Sequence, residues 1–329
     1  MFHYIGYPEK AEQTWAYQFN ETILKELKSL DVPFTSWPNG RWREEQANEL
    51  KHTEAKETDV WFVAHPFHPA MRWIQSKKGI KMTRIAGTAA NPYEIGVIYN
   101  QTNQKLEESH LSKFDLILTH SKWAHCLVIS AYPNLAGRFA LVGRPTDFSA
   151  LTKYKNIPKQ KNWIAFSQRF SYDKLFVIEM ETTRRLREKG FQIFHLISDQ
   201  MYHSLHPSLL KWAKLHHIQF LVNKNRDEYL TRLSQAEILI TTSISDMLPM
   251  SLFEAIYLDV IPVAPQMMCF PEFIHPDNLY PPFDIDFMIK LAEKKPIRHH
   301  PISFHEKKAV IQRILHELEK RFGIKTSRR

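Results

Sequence analysis

Short apolar runs of four to six residues, each set apart by a polar or helical segment, recur in two series along this chain. No other feature limits its fold as tightly, because strands buried on both faces take this form in a parallel sheet covered by helices. In the first half the runs are residues 59–64, 82–87 and 114–119. They follow a segment, residues 11–30, in which Trp15, Phe19, Ile23, Leu24, Leu27 and Leu30 recur at helical spacing. A polar, lysine-rich stretch at 153–161 then breaks the pattern. Beyond it lie strand candidates at 162–167, 192–197, 218–221, 237–242 and 260–264, with helices predicted over 175–189 and 226–235. A last helix over 304–322 carries Val310, Ile311, Ile314, Leu315, Leu318 and Phe322 on one face. The reading is two successive α/β domains, residues 1–150 and 162–302, joined by a linker at 151–161 and followed by a helix and basic tail at 303–329.

The length of 329 residues suits two cores rather than one. No stretch approaches the roughly 18 uninterrupted apolar residues that span a bilayer. The start, Met1 to Gly6, lacks a basic region followed by a long apolar core, so no secretory signal is expected. Cys126 and Cys269 lie far apart, without the paired spacing of a zinc site or disulfide framework, and a cytoplasmic location is expected. The formal charge of +9 favours polyanionic partners, nucleic acid or an anionic membrane surface. The phosphates of a nucleotide ligand would be drawn to the same cations.

Two segments carry chemistry. After the apolar strand at 238–242 comes Ser245-Asp246-Met247-Leu248-Pro249-Met250-Ser251-Leu252-Phe253-Glu254. An acid at a strand end and another eight residues later can face one crevice, and ionised carboxylates accept strong hydrogen bonds from sugar and ribose hydroxyls. On pattern alone Glu254 reads equally as a helix-surface acid. The other segment, Phe166-Ser167-Gln168-Arg169-Phe170-Ser171-Tyr172-Asp173-Lys174, runs from a strand into a helix with two cations around the turn. A helix start already favours anions, and a guanidinium with an ammonium makes a diphosphate clamp. A basic surface turn is the plainer reading.

Together these segments resemble the retaining GT-B glycosyltransferases, the nucleotide-sugar-dependent hexosyltransferases in particular. That family has a strand followed by a Gly-Arg-x-Ser-x-Glu-Lys-Gly turn, and Gln168 to Leu175 matches its Arg, Ser, acid and Lys. Its pair of glutamates with seven residues between them corresponds to Asp246 and Glu254. Further pieces keep register: Leu233-Ser234-Gln235-Ala236-Glu237, Ile261-Pro262-Val263-Ala264, Pro271-Glu272-Phe273-Ile274 and Leu279-Tyr280-Pro281-Pro282-Phe283-Asp284.

The resemblance implies a GT-B fold, two Rossmann-like domains facing a central cleft. The activity implied is transfer of a hexose from a UDP-, GDP- or ADP-sugar to an acceptor hydroxyl, without a cofactor or metal. Arg169 and Lys174 would hold the diphosphate, and Glu254 the ribose. Asp246 would face the sugar, with the backbone around Met247, Leu248 and Met250 beside it. The chain departs from the family in having Asp246 for Glu, Met247 and Leu248 for glycines, and Glu9-Lys10 where a Gly-Gly phosphate loop is usual. The family's histidine would fall near Ala86.

In the first half, His65 and His68 follow one strand and His120 another. His65 and His120 are candidates for activating the acceptor or touching the sugar; capping a strand end is the alternative. Arg41, Trp42, Arg72 and Glu94 are candidates for acceptor binding, since aromatics among cations suit bases, phosphates or an anionic interface. The acceptors left open are a saccharide, an anionic lipid, or hydroxymethylated bases in DNA. A non-catalytic nucleic-acid-binding protein of the same fold is a further alternative.

Overall fold

The computed structural model describes residues 1–6, 15–37, 49–94 and 103–324. It divides into two compact units, Met1–Asp147 with Ser303–Arg329, and Phe148–Ile302.

The first unit is built on a six-stranded, wholly parallel sheet in the order β2-β1-β3-β4-β5-β6. Its strands are β1 (Phe2–Ile5), β2 (Phe34–Trp37), β3 (Val60–Val63), β4 (Ile80–Arg84), β5 (Leu116–Thr119) and β6 (Phe139–Leu141). Most of these residues are buried, as the apolar runs require. One face packs Phe2, Tyr4, Phe62, Met82 and Leu118 against Ile23 and Leu27 of helix Trp15–Ser29. The same core takes in Val310, Ile311, Ile314 and Leu318 of helix Lys307–Phe322. The chain therefore returns at its end to the unit in which it began. Its return is fixed by a bridge between Thr146 and Glu306 and by the ion pair of Lys307 with Asp147.

The second unit has six parallel strands, β7 (Trp163–Phe166), β8 (Gln192–Ser198), β9 (Gln219–Asn223), β10 (Ile238–Ile240), β11 (Ile261–Pro265) and β12 (Leu279–Tyr280). Their order is β12-β11-β10-β7-β8-β9. Counted from β7, this is the 3-2-1-4-5-6 order of a Rossmann sheet, whose direction of winding reverses between its first and fourth strands. The switch point thus lies between β7 and β10, and the loops leaving their carboxyl ends define where a ligand binds. Residues 151–161 belong to this unit: a 3-10 stretch, Phe148–Tyr154, stacks Phe148 on Tyr257 at 5.4 Å.

Helix boundaries follow local chemistry. Asn225 caps helix Arg226–Gln235 by accepting from the Glu228 amide, and Asp284 caps helix Ile285–Lys294 through Phe287. Gly323, at φ 67°, closes the last helix in a left-handed conformation that a side chain would strain.

Candidate functional site

The two segments singled out from the sequence leave adjacent strands, β7 and β10, at the switch point of the second sheet. Lys174 is the hub between them. Its buried ammonium donates to Ser243 Oγ at 2.9 Å, to the Ser245 carbonyl at 2.5 Å and to Asp246 Oδ2 at 2.8 Å. Asp173 Oδ2 lies 3.3 Å away. An ammonium has three protons, and these acceptors occupy all of them. Arg169 differs: its side chain is 51% exposed and pairs with Asp173 at 3.1 Å. Asp173, fully buried, also accepts from Ser171 Oγ at 2.5 Å, and its carbonyl accepts from the Ile244 amide.

Glu254 lies on helix Met250–Tyr257 and is only 3% exposed, so it is no helix-surface acid. Arg226 Nη2 donates to its Oε1 at 2.6 Å. Tyr229 accepts from Ser167 Oγ at 2.9 Å. Burial, and then the neighbouring Glu254 charge, hold the Tyr229 phenol well above its ordinary range, so it stays protonated. Met247 and Leu248, which stand where the family has glycines, are buried, and Met250 opens the helix. Leu175, at the family's other glycine position, has φ 48°, a left-handed conformation that costs a side-chain-bearing residue about 1–2 kcal/mol.

Gln168, also at a glycine position of that motif, ties the two loops together. Its Oε1 accepts from Thr241 Oγ1 at 2.8 Å and from the Thr242 amide at 3.2 Å. Its Nε2 donates to Thr242 Oγ1 and to Glu179 Oε2. Glu179 in turn meets His195 Nδ1 at 2.6 Å, and the His195 ring stacks on Phe166. Gln168, Glu179, His195, Ser243, Ser245, Arg226 and Tyr229 were given no role from the sequence. The Glu179–His195 pair spans a helix and a strand, and no local spacing signals it.

In the first unit the candidates sit at strand ends but differ in setting. His65 follows β3, where its Nδ1 accepts from the Phe67 amide at 3.3 Å; His68 does the same for Ala70 at 3.0 Å. Burial, with the Arg84 charge second, pushes His65 down to about 3. His120 follows β5, fully enclosed, and its Nδ1 donates to the Gly143 carbonyl at 2.9 Å. Burial and then Arg84 hold it well below the ordinary histidine range. Both rings are therefore neutral and can exchange hydrogen bonds with hydroxyls without carrying charge.

Arg84, the last residue of β4, is buried with its guanidinium 4.0 Å from the centre of the Phe19 ring, and it was not singled out from the sequence. Arg72 is exposed and lies over the neighbouring Trp73 ring at 3.8 Å, so its cation is engaged locally. Glu94 closes a turn with Asn91, and its carboxyl packs against Gly87, where an added Cβ would lie 2.9 Å from the Glu94 Cδ. The buried Glu107 carboxylate holds that loop through Thr88 Oγ1 at 2.8 Å and the Ala89 amide at 2.7 Å. Arg41, Trp42 and the Glu9-Lys10 pair lie outside the described residues. Among the described residues, no group of three or more His, Cys, Asp or Glu is arranged to hold a metal ion. Nor is any helix among them long and apolar enough to cross a membrane.

Two parallel Rossmann-like sheets, the second with polar side chains converging at its switch point, make this a protein of the GT-B fold. Residues 147–294, the greater part of the second unit, match the family of glycosyl transferases group 1. Solved structures agree on the fold. OtsA in its apo form superposes with a TM-score of 0.65 over 97% of this chain and 95% of its own, at 11% identity. The pneumococcal O-GlcNAc transferase GtfA, solved with UDP and GlcNAc, gives a TM-score of 0.60 at 11% identity, over 83% of this chain. The chain spans 59% of GtfA's length. A UDP-forming α,α-trehalose-phosphate synthase from Burkholderia xenovorans gives 0.58 at 14% identity, over 85% of this chain and 77% of its own. Comparison with curated protein sequences returns no match.

Proposed function

We propose that this protein is a glycosyltransferase that takes a hexose from a nucleotide sugar and passes it, with retention, to an acceptor hydroxyl. The observation that carries the reading is the chain of contacts from Arg169 through Asp173 to Lys174 and Asp246, with Glu254 close by in sequence, around one switch point inside the family-matching segment. UDP is favoured among UDP, GDP and ADP as the donor nucleotide, because GtfA is solved with UDP and the Burkholderia synthase is named as forming it.

In this scheme the exposed Arg169 meets the diphosphate first. Lys174 exchanges one of its present acceptors for a phosphate oxygen and so stabilises the charge that develops on the leaving nucleoside diphosphate. Asp246, released from Lys174, accepts hydrogen bonds from the hexose hydroxyls. The backbone at Met247 to Met250, where a helix begins, lies beside the phosphates. Glu254 takes the ribose. In the first unit, the neutral His65 and His120 serve the acceptor or sugar hydroxyls, with Arg72 and Glu94 at the acceptor. A saccharide is the favoured acceptor, since a Burkholderia xenovorans trehalose-phosphate synthase of the same fold is solved with glucose-6-phosphate. An anionic lipid or hydroxymethylated DNA draws support from the charge of +9 and from the aromatics set among cations in the first half of the sequence.

Thermal denaturation with UDP-, GDP- and ADP-hexoses tests the reading. One donor should raise the melting temperature, and Glu254→Gln should weaken that donor tenfold or more. The glutamine keeps the shape of the side chain beside Arg226, which an alanine would not. If no donor stabilises the wild type, while duplex DNA binds in a salt-sensitive way, the protein is a nucleic-acid binder instead.

A further inference from the structure

We propose that Arg226 is the positioning residue for Glu254, holding that carboxylate in one orientation so that it can select a ribose diol. The inference rests on the donor reading given above.

Helices Arg226–Gln235 and Met250–Tyr257 lie side by side in the second unit, and their two side chains meet between them. A carboxylate as buried as Glu254 is costly unless it is paired and hydrogen-bonded. Arg226 supplies the pair at 2.6 Å, reaching inward from a side chain that is 32% exposed. Tyr229, one helical turn along, lies beside the pair, and after burial the Glu254 charge is the next cause that raises its phenol. Ser167, just beyond β7, donates to that phenol and so ties the arrangement to the strand that precedes Arg169.

An ionised carboxylate offers about four lone-pair sites. Arg226 uses one, on Oε1, which leaves enough acceptor positions for two adjacent hydroxyls. Without Arg226 the carboxylate would turn toward water, and that change removes an acceptor from the diol. Arg226 is the first residue of its helix, while the capping contact belongs to Asn225, so helix formation does not depend on the guanidinium.

The test compares a nucleoside diphosphate with its 2′,3′-dideoxy counterpart by titration calorimetry. The base is the one, among uracil, guanine and adenine, whose diphosphate binds the wild-type protein best. The wild type should prefer the ribose form by about ten- to a hundredfold, the range for hydrogen bonds to a charged group. Arg226→Met should bring that preference close to one while leaving affinity for the dideoxy form within about threefold. Arg226→Lys, which keeps the charge on a thinner side chain, should recover part of the preference.

Equal losses for both ligands in Arg226→Met, or an undiminished preference in both variants, would overturn the inference. The donor reading would survive either of these results. A wild type that binds a nucleoside diphosphate without any ribose preference would remove the role given to Glu254, and that of Arg226 with it. A wild type that binds none of the three diphosphates would remove the donor reading itself.

Discussion

Replacing Lys174 by methionine keeps most of the side chain's length and removes its charge. Four oxygens then lose their cation: those of Ser243, Ser245, Asp246 and Asp173. Breaking a buried ion pair costs about 3–5 kcal/mol. The lower end applies, because the Asp246 side chain is 24% exposed and water takes over part of its solvation. Asp173 also keeps Arg169 and Ser171. A loss of about 3 kcal/mol lowers the melting temperature of a unit of this size by roughly 6–12 °C.

Arg169→Ala is the informative contrast. That guanidinium is half exposed and makes one ion pair, so its loss should cost under about 1 kcal/mol. It should nevertheless weaken the nucleotide sugar, since the exposed cation is the one a diphosphate meets first. Differential scanning calorimetry on both variants, with donor titration on each, separates the roles. A Lys174→Met protein melting within about 2 °C of wild type would refute the hub assignment. So would an Arg169→Ala protein that is equally destabilised.

Two further outcomes follow from buried polar groups. His65 and His305 are pushed down to about 3, and His68 to about 4, by burial first. Below pH 6.5 the unfolded chain takes up protons at these sites that the folded chain refuses, so stability falls with pH. The slope is at most about 1.4 kcal/mol per pH unit per histidine, and it persists down to the folded values. The first unit's melting temperature should therefore drop between pH 7 and pH 5, less steeply in His68→Gln; a flat or rising profile would contradict the assignment. Gln168→Leu should destabilise the second unit by about 2–4 kcal/mol, because the Thr242 amide and the Glu179 carboxylate both lose a partner. Urea denaturation reads that loss, and an unchanged midpoint would show that Gln168 does not bind the two loops together.

Much of the fold is legible wherever one local rule dominates. Helix Arg226–Gln235 has an asparagine cap at its start and a buried Leu230–Leu233 face, so its limits coincide with the reading from sequence. The strands β3, β5, β7, β8 and β10 are apolar runs with polar neighbours, and each falls within a residue or two of the predicted run. At two residues, β12 is too short to signal itself as a strand. In β1 the residue His3 breaks the apolar run. It is buried all the same, stacked on Trp61 at 4.0 Å and hydrogen-bonded to Thr35 at 2.7 Å.

The candidate site was legible as a set of residues but not as a set of contacts. The family spacing singles out Arg169, Lys174, Asp246 and Glu254, yet nothing local says that Lys174 is buried and Arg169 is not. Glu179 shows why. It lies on helix Phe176–Glu188, whose buried face includes Thr182 and Thr183, so a search for apolar periodicity treats that face as solvent-exposed. Its partners are Gln168, eleven residues back, and His195, sixteen residues ahead on another element. The substitutions that weaken the motif in the sequence are the ones these contacts involve. Gln168 fills a glycine position with a hydrogen-bonded amide, and Met247 and Leu248 fill two more with buried side chains. A turn built on glycines is held by its backbone, whereas this one is held by side chains from several elements. Residues as distant in sequence as His195 therefore bear on its geometry.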